Sequence, residues 1–128
     1  MPVYGTLEWT KEYKKLWDAD KETIRLLKGF NTTWIIKVSD RPEIKPVWSK
    51  VENGRITEIK YAAPNEETEF IFEAPIELWK AIYTGQIEPT NAVVTGQMKL
   101  KGPPAKMIKY MRGWLKTLEL QKKVPTEW

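Results

Sequence analysis

The sequence predicts an α+β fold, and three observations carry that reading: a helical first third, a middle third with apolar residues at every second position, and an amphipathic helix near the end. Between Leu7 and Trp17, the residues Trp9, Tyr13, Leu16 and Trp17 return at helical spacing, with Lys11, Glu12, Lys14 and Lys15 among them. Asp18-Ala19-Asp20 interrupts this run. Asp20 can cap a second short helix, carrying Ile24 and Leu27, that Gly29 stops.

Past Asn31 the period drops to two. Thr33 to Ser39 reads as a strand with Trp34, Ile36 and Val38 on one face. Val47 to Val51 and Ile56 to Tyr61 flank Glu52-Asn53-Gly54-Arg55, and the Asn-Gly pair marks a hairpin because both residues accept a positive φ. Thr68 to Ala74 alternates, Phe70 and Phe72 facing one way and Glu69, Ile71 and Glu73 the other. Strands that follow one another in this way predict a meander.

Pro75 opens the next helix, which bears Ile76, Trp79, Ile82 and Tyr83 and ends at Gly85. Glu88 to Ala92 adds a helical turn stopped at Gly96, and Gln97 to Lys101 a short strand with Met98 and Leu100 on one face. Gly102-Pro103 breaks that strand and Pro104 starts the last helix. There Met107, Ile108, Met111, Trp114, Leu115 and Leu118 share one face, while Lys106, Lys109, Arg112 and Lys116 form a basic stripe on another. Trp34, Trp79 and Trp114 therefore all stand on apolar faces. With no repeat and no linker-like stretch, residues 1–128 read as one domain.

Composition narrows the function. The 128 residues include seven Trp but no His and no Cys, which excludes a Ser-His-Asp triad, a thiol nucleophile, a disulfide framework and a Cys/His zinc site. Of the carboxylates, Glu69 and Glu73 lie on a polar strand face with Glu77 following, a pattern that points to water; no enzyme is expected. The net charge of +4 is uneven: residues 64–93 hold Lys80 against Glu66, Glu67, Glu69, Glu73, Glu77 and Glu88, whereas residues 94–128 are strongly basic. A nucleic-acid partner is not expected, because this acidic block would adjoin any basic groove and no recognition motif is present. No apolar run approaches the ~20 residues of a membrane span, and neither a secretory leader nor a Ser-Lys-Leu ending is seen, so the cytoplasm is the expected location.

The stretch from Tyr83 to Gly102 carries a more specific signal. Tyr83-Thr84-Gly85-Gln86-Ile87-Glu88-Pro89, then Asn91-Ala92-Val93-Val94-Thr95-Gly96, then Gln97-Met98-Lys99-Leu100-Lys101-Gly102, resembles the signature of the sterol carrier protein type 2 family. Two glycine-bounded blocks at fixed spacing make the match specific, and the Trp-rich first helix, Asp18-Ala19-Asp20 and Lys28-Gly29-Phe30 extend it over about residues 8 to 120. The resemblance implies a five-stranded mixed, mostly antiparallel sheet covered by helices, with an apolar tunnel that binds lipids such as fatty acids, acyl-CoA, sterols or isoprenoids, without cofactor, metal or chemistry. Carried onto this chain, it gives a tunnel wall of Phe70, Phe72, Trp79, Ile82, Tyr83, Val93, Val94, Met98 and Leu100, capped by Met107, Met111 and Leu115. Val93 and Val94 replace two aromatic residues of many members, and Trp79 replaces Phe, so the cavity is expected to be reshaped.

On this reading the stripe of Lys106, Lys109, Arg112 and Lys116 would hold an anionic head group or touch an anionic membrane in passing. The alternative is a protein–protein module, either a homodimer closing over a sheet that is apolar on both faces at Trp34, Ile35 and Ile36, or an accessory domain of a separate enzyme.

Overall fold

Asn53 and Gly54 take φ values of 48° and 80° in the computed structural model, which describes residues 1–128. This pair of left-handed residues makes the tight turn joining β2 (Val47–Glu52) to β3 (Arg55–Tyr61). β2 also pairs antiparallel with β1 (Thr32–Val38), placing Trp34 opposite Ser49 and Ile36 opposite Val47. A bulge between Lys50 and Val51 lets Ile56 rejoin the inner face.

The expected meander stops there. β4 (Phe70–Ala74) does not add to β3 but lies on the far side of β1, parallel to it, and β5 (Lys99–Lys101) completes the five-stranded order β3-β2-β1-β4-β5. The register explains the choice. Beside β1, Phe70 falls next to Trp34 and Phe72 next to Ile36, so the large rings gather on one face. To reach that position the β3–β4 connection crosses the opposite face of the sheet. Glu67 accepts a hydrogen bond from Trp48 Nε1 at 3.3 Å, and Glu69 N–H donates to Thr33 Oγ1 at 3.0 Å. Lys60 lies over the Trp48 ring at 4.7 Å. Ile35 and Trp48 are therefore both only 8% exposed within a single chain.

All the helices lie on the other face. α1 (Leu7–Ala19) is capped by Thr6 and inserts Trp9, Tyr13 and Trp17, and Trp17 Nε1 donates to the Gly54 carbonyl at 2.7 Å, fixing the helix to the hairpin. α2 (Lys21–Leu26) starts at Asp20, whose carboxylate accepts from Thr23 N–H as its sequence position predicts. α3 (Ile76–Tyr83) and α4 (Pro89–Val94) lie between β4 and β5 in the chain.

The expected long final helix is two helices, α5 (Pro104–Lys109) and α6 (Met111–Gln121). At Tyr110 the backbone leaves helical geometry (φ −107°, ψ 14°) as its ring packs on Phe30 at 4.5 Å. The break rotates the two halves apart, so Met107 and Trp114 are buried while Ile108, expected on the same face, is 72% exposed. A single cluster of 23 buried apolar residues joins the helices to the sheet, giving one shared core.

Candidate functional site

Three apolar spaces lie in line from the surface to the centre. The outermost is an open groove of about 400 Å³ between the N-terminal segment, the β1–β2 loop, the end of β3 and the start of α3. Tyr4, Ile44, Tyr61, Ile76 and Trp128 give it apolar walls, with Arg41 and Lys45 at its rim. Arg41 is paired with Glu43, while Lys45 stands 5.8 Å from the Tyr61 ring centroid. Tyr4, Gly5 and Ile44 are shared with a second space of about 20 Å³ that reaches inward past Trp9, Tyr13 and the buried Ser49. Tyr13, Trp34 and Ile36 are in turn shared with a third, of about 10 Å³, bounded by Phe72, Trp79 and Trp114. The inner two hold little more than a water-sized probe, so the interior is closed down on its own side chains.

Those side chains are aromatic and mutually packed. Trp34 meets Trp17 at 5.4 Å and Phe72 edge-on at 5.5 Å, and Phe72 stacks on Trp114 at 5.2 Å. The mouth is closed by Trp128 stacked on Tyr4 at 4.7 Å. The last residues are held there by Trp9 Nε1 donating to Thr126 Oγ1 at 2.9 Å and by a parallel bridge between Val3 and Glu127. Burial raises the phenol pKa of Tyr4 well above its ordinary value, and Tyr13 follows for the same reason, so both stay neutral hydrogen-bonding groups.

The residues expected to build the tunnel divide into groups. Phe72 and Trp79 bound the innermost space. Phe70, Ile82, Met98 and Met107 are buried in the same core without reaching it, and Val93, Leu100, Met111 and Leu115 pack partly buried around the cluster. Tyr83 packs edge-on against Trp128 at 5.2 Å and donates to the Val124 carbonyl at 2.7 Å, behind the groove wall and outside its lining. Val94 is a correction: at 78% exposure on the last turn of α4 it faces solvent, because Ala92 takes the inward position. Trp34 and Trp114, placed on apolar faces by sequence, do line the interior. Tyr4, Tyr13, Ile44, Trp128 and Gln121 were missed. Only Tyr13 left a signal, since it shares the apolar face of α1 with Trp9 and Trp17 by helical spacing.

The basic stripe does not form one site. Lys106 bonds Glu69 at 2.6 Å and reaches the Asn31 carbonyl, and Lys109 lies over the Tyr110 ring at 5.4 Å. Beyond the break, Arg112 and Lys116 border a polar depression with Glu22, Glu88 and Glu119. All four lack contact with the apolar groove, whose own cations are Arg41 and Lys45. The largest depression, about 710 Å³, runs over the solvent face of α1 and is lined by charged residues, so it is no apolar site. No three acidic side chains gather in a way that could hold a metal ion.

A five-stranded mixed sheet covered by helices on one face, with one shared apolar core beside a surface groove, defines the class of α+β fold. Residues 11–113 match the SCP-2 sterol transfer family, and the chain belongs to it. The fold agrees. A crystal structure of sterol carrier protein 2 superposes with a TM-score of 0.85 at 19% identity, covering 95% of this chain and 99% of that one. A solution structure of a conserved hypothetical protein from Thermus thermophilus, described as possibly a sterol carrier protein, gives 0.79 at 20% identity over 95% and 90%. The fold also occurs within a larger enzyme, a stereoselective inverting sec-alkylsulfatase from Pseudomonas sp., with a TM-score of 0.51 at 16% identity, covering 70% of this chain and 14% of that one. No curated protein sequence matches the chain. Fold and family together point to lipid or sterol binding, and no helix is long and apolar enough to cross a membrane.

Proposed function

We propose that this protein binds and carries an apolar ligand, without chemistry, in the space between the sheet and the helices. The observation that carries this reading is the continuity of the groove with the two inner spaces through Tyr4, Gly5, Ile44, Tyr13 and Trp34. A chain entering from the groove follows that line by displacing aromatic rings. Burial of a twelve-carbon chain gains roughly 10 kcal/mol gross at ~0.8 kcal/mol per CH₂. Ring displacement and lost freedom offset much of this, which suits micromolar affinity and reversible carriage. The experiment is native mass spectrometry of the purified protein with solvent extraction, alongside titration with dodecyl lipids followed by Trp emission. One bound apolar molecule per chain is expected. Absence of any co-purifying or added lipid, with Trp emission unchanged, overturns the reading.

Ile108, exposed between Lys106 and Lys109, supports a brief contact with anionic membranes during transfer. Co-sedimentation with phosphatidylglycerol vesicles that falls on Ile108→Asp is the expected result; equal binding to neutral vesicles argues against it.

A further inference from the structure

The interior holds one polar group that its packing does not satisfy. Gln121 is fully buried on α6, and its Oε1 accepts from Tyr4 Oη at 3.3 Å while its Nε2 has no hydrogen-bond partner in the chain. It borders the innermost space with Trp34, Phe72, Trp79 and Trp114. No neighbouring oxygen lies in hydrogen-bonding geometry to this N–H. Tyr13 Oη stands beside the same amide without completing a bond to it and donates to the Thr117 carbonyl at 2.8 Å, and Thr117 Oγ1 donates to the Trp114 carbonyl at 2.6 Å.

An amide N–H left without a partner in an apolar interior is costly, and Met or Leu would fill the same volume without that cost. A donor kept there fits a ligand that brings an acceptor. The lining residues of the space include no charged group, so a carboxylate arriving at Gln121 would be buried without a counter-ion. A neutral oxygen meets the N–H without that penalty.

We infer that Gln121 is the polar recognition residue at the buried end of the site, and that the ligand is a neutral lipid whose leading end carries a hydroxyl or carbonyl oxygen. This rests on the carrier reading above and narrows its ligand class, because an ionised fatty acid can enter only tail first, with its head left at the groove.

The test compares three probes of equal length, 2-dodecanone, dodecane and dodecanoate, at pH 8, where the acid is ionised. Their binding to the wild-type protein and to Gln121→Met is followed by Trp emission. On the substitution the ketone should lose about fivefold in affinity relative to dodecane and dodecanoate, the worth of one neutral hydrogen bond. If all three bind and the ketone loses nothing relative to the other two, the role of Gln121 is overturned and the carrier reading stands. If none binds, the carrier reading itself fails. Should the variant not fold, the carbonyl ¹³C resonance of labelled 2-dodecanone on the wild-type protein decides: a hydrogen-bonded shift supports the assignment, and the shift seen in alkane solvent overturns it.

Discussion

Gly54 shows how much of this molecule depends on single residues. Its φ of 80° suits the hairpin turn, and a Cβ at this position would stand 2.8 Å from the Leu27 carbonyl oxygen. The same residue's carbonyl receives Trp17 Nε1, so turn, α2 terminus and α1 meet at one point. Gly54→Ala adds a steric conflict with backbone to an unfavourable dihedral angle, and we expect a loss of about 2–4 kcal/mol, read as a lower urea midpoint with an unchanged slope. A midpoint within the error of wild type would show that the α2 end yields freely. Residues of this kind were legible in sequence, since Asn-Gly between two period-two runs has few other uses. Gln121 was not, because an amide on a charged amphipathic helix reads as a surface residue until the depth of the face is known. Ile44 and Tyr4 were hidden for another reason: they lie in segments without periodicity, and only the tertiary fold brings them to one groove.

Elements were read well where local chemistry decides them and less well where tertiary contacts do. Caps and breakers at Asp20, Pro75, Gly85 and Pro104 fell where expected. The place of β4 beside β1 was not local information, since the same alternation of Phe70 and Phe72 would serve a meander equally. Nor was the break at Tyr110, which arises from the packing of its ring on Phe30. The break leaves α5 a six-residue element tied to the sheet by Lys106, which bonds Glu69. Partial burial raises the Glu69 pKa, but the hydrogen bonds from Lys106 and Thr32 outweigh it, and the group titrates below its ordinary 4.5. A depressed carboxylate stabilises the fold above its unfolded pKa, and that contribution is lost as pH falls through the folded value. Glu69→Gln should therefore cost less than about 1 kcal/mol at pH 7, as suits a partly exposed pair, with the difference from wild type narrowing as pH falls below the ordinary 4.5. Urea unfolding at pH 7 and at about pH 3.5 checks this; a difference that persists at the lower pH would assign the effect to packing instead of charge.

At the scale of the whole molecule, the fold brings both chain ends to the mouth of the site, and this makes access a property of their contact. Tyr4 and Trp128 stack across the groove, Tyr4 N–H donates to the Glu127 carbonyl at 2.9 Å, and Tyr4 also closes the neck to the second space. A ligand must part this contact before it can displace Trp34 and Phe72 within. Trp128 is only partly buried, so its removal costs less than the ~3–5 kcal/mol of a fully buried aromatic residue, and about 2 kcal/mol is expected for Trp128→Ala. For a chain of this length that corresponds to a fall in Tm of about 7 °C. If the groove is the route inward, the same substitution should raise the association rate of an apolar ligand severalfold in stopped-flow Trp fluorescence. Dissociation should quicken in parallel, because the barrier is common to both directions, so equilibrium affinity should change much less than either rate. A variant that loses stability as expected but binds at the wild-type rate would show that the ligand enters elsewhere, and the ion pair of Lys106 with Glu69, which ties α5 to the start of β4, would then be the contact to release.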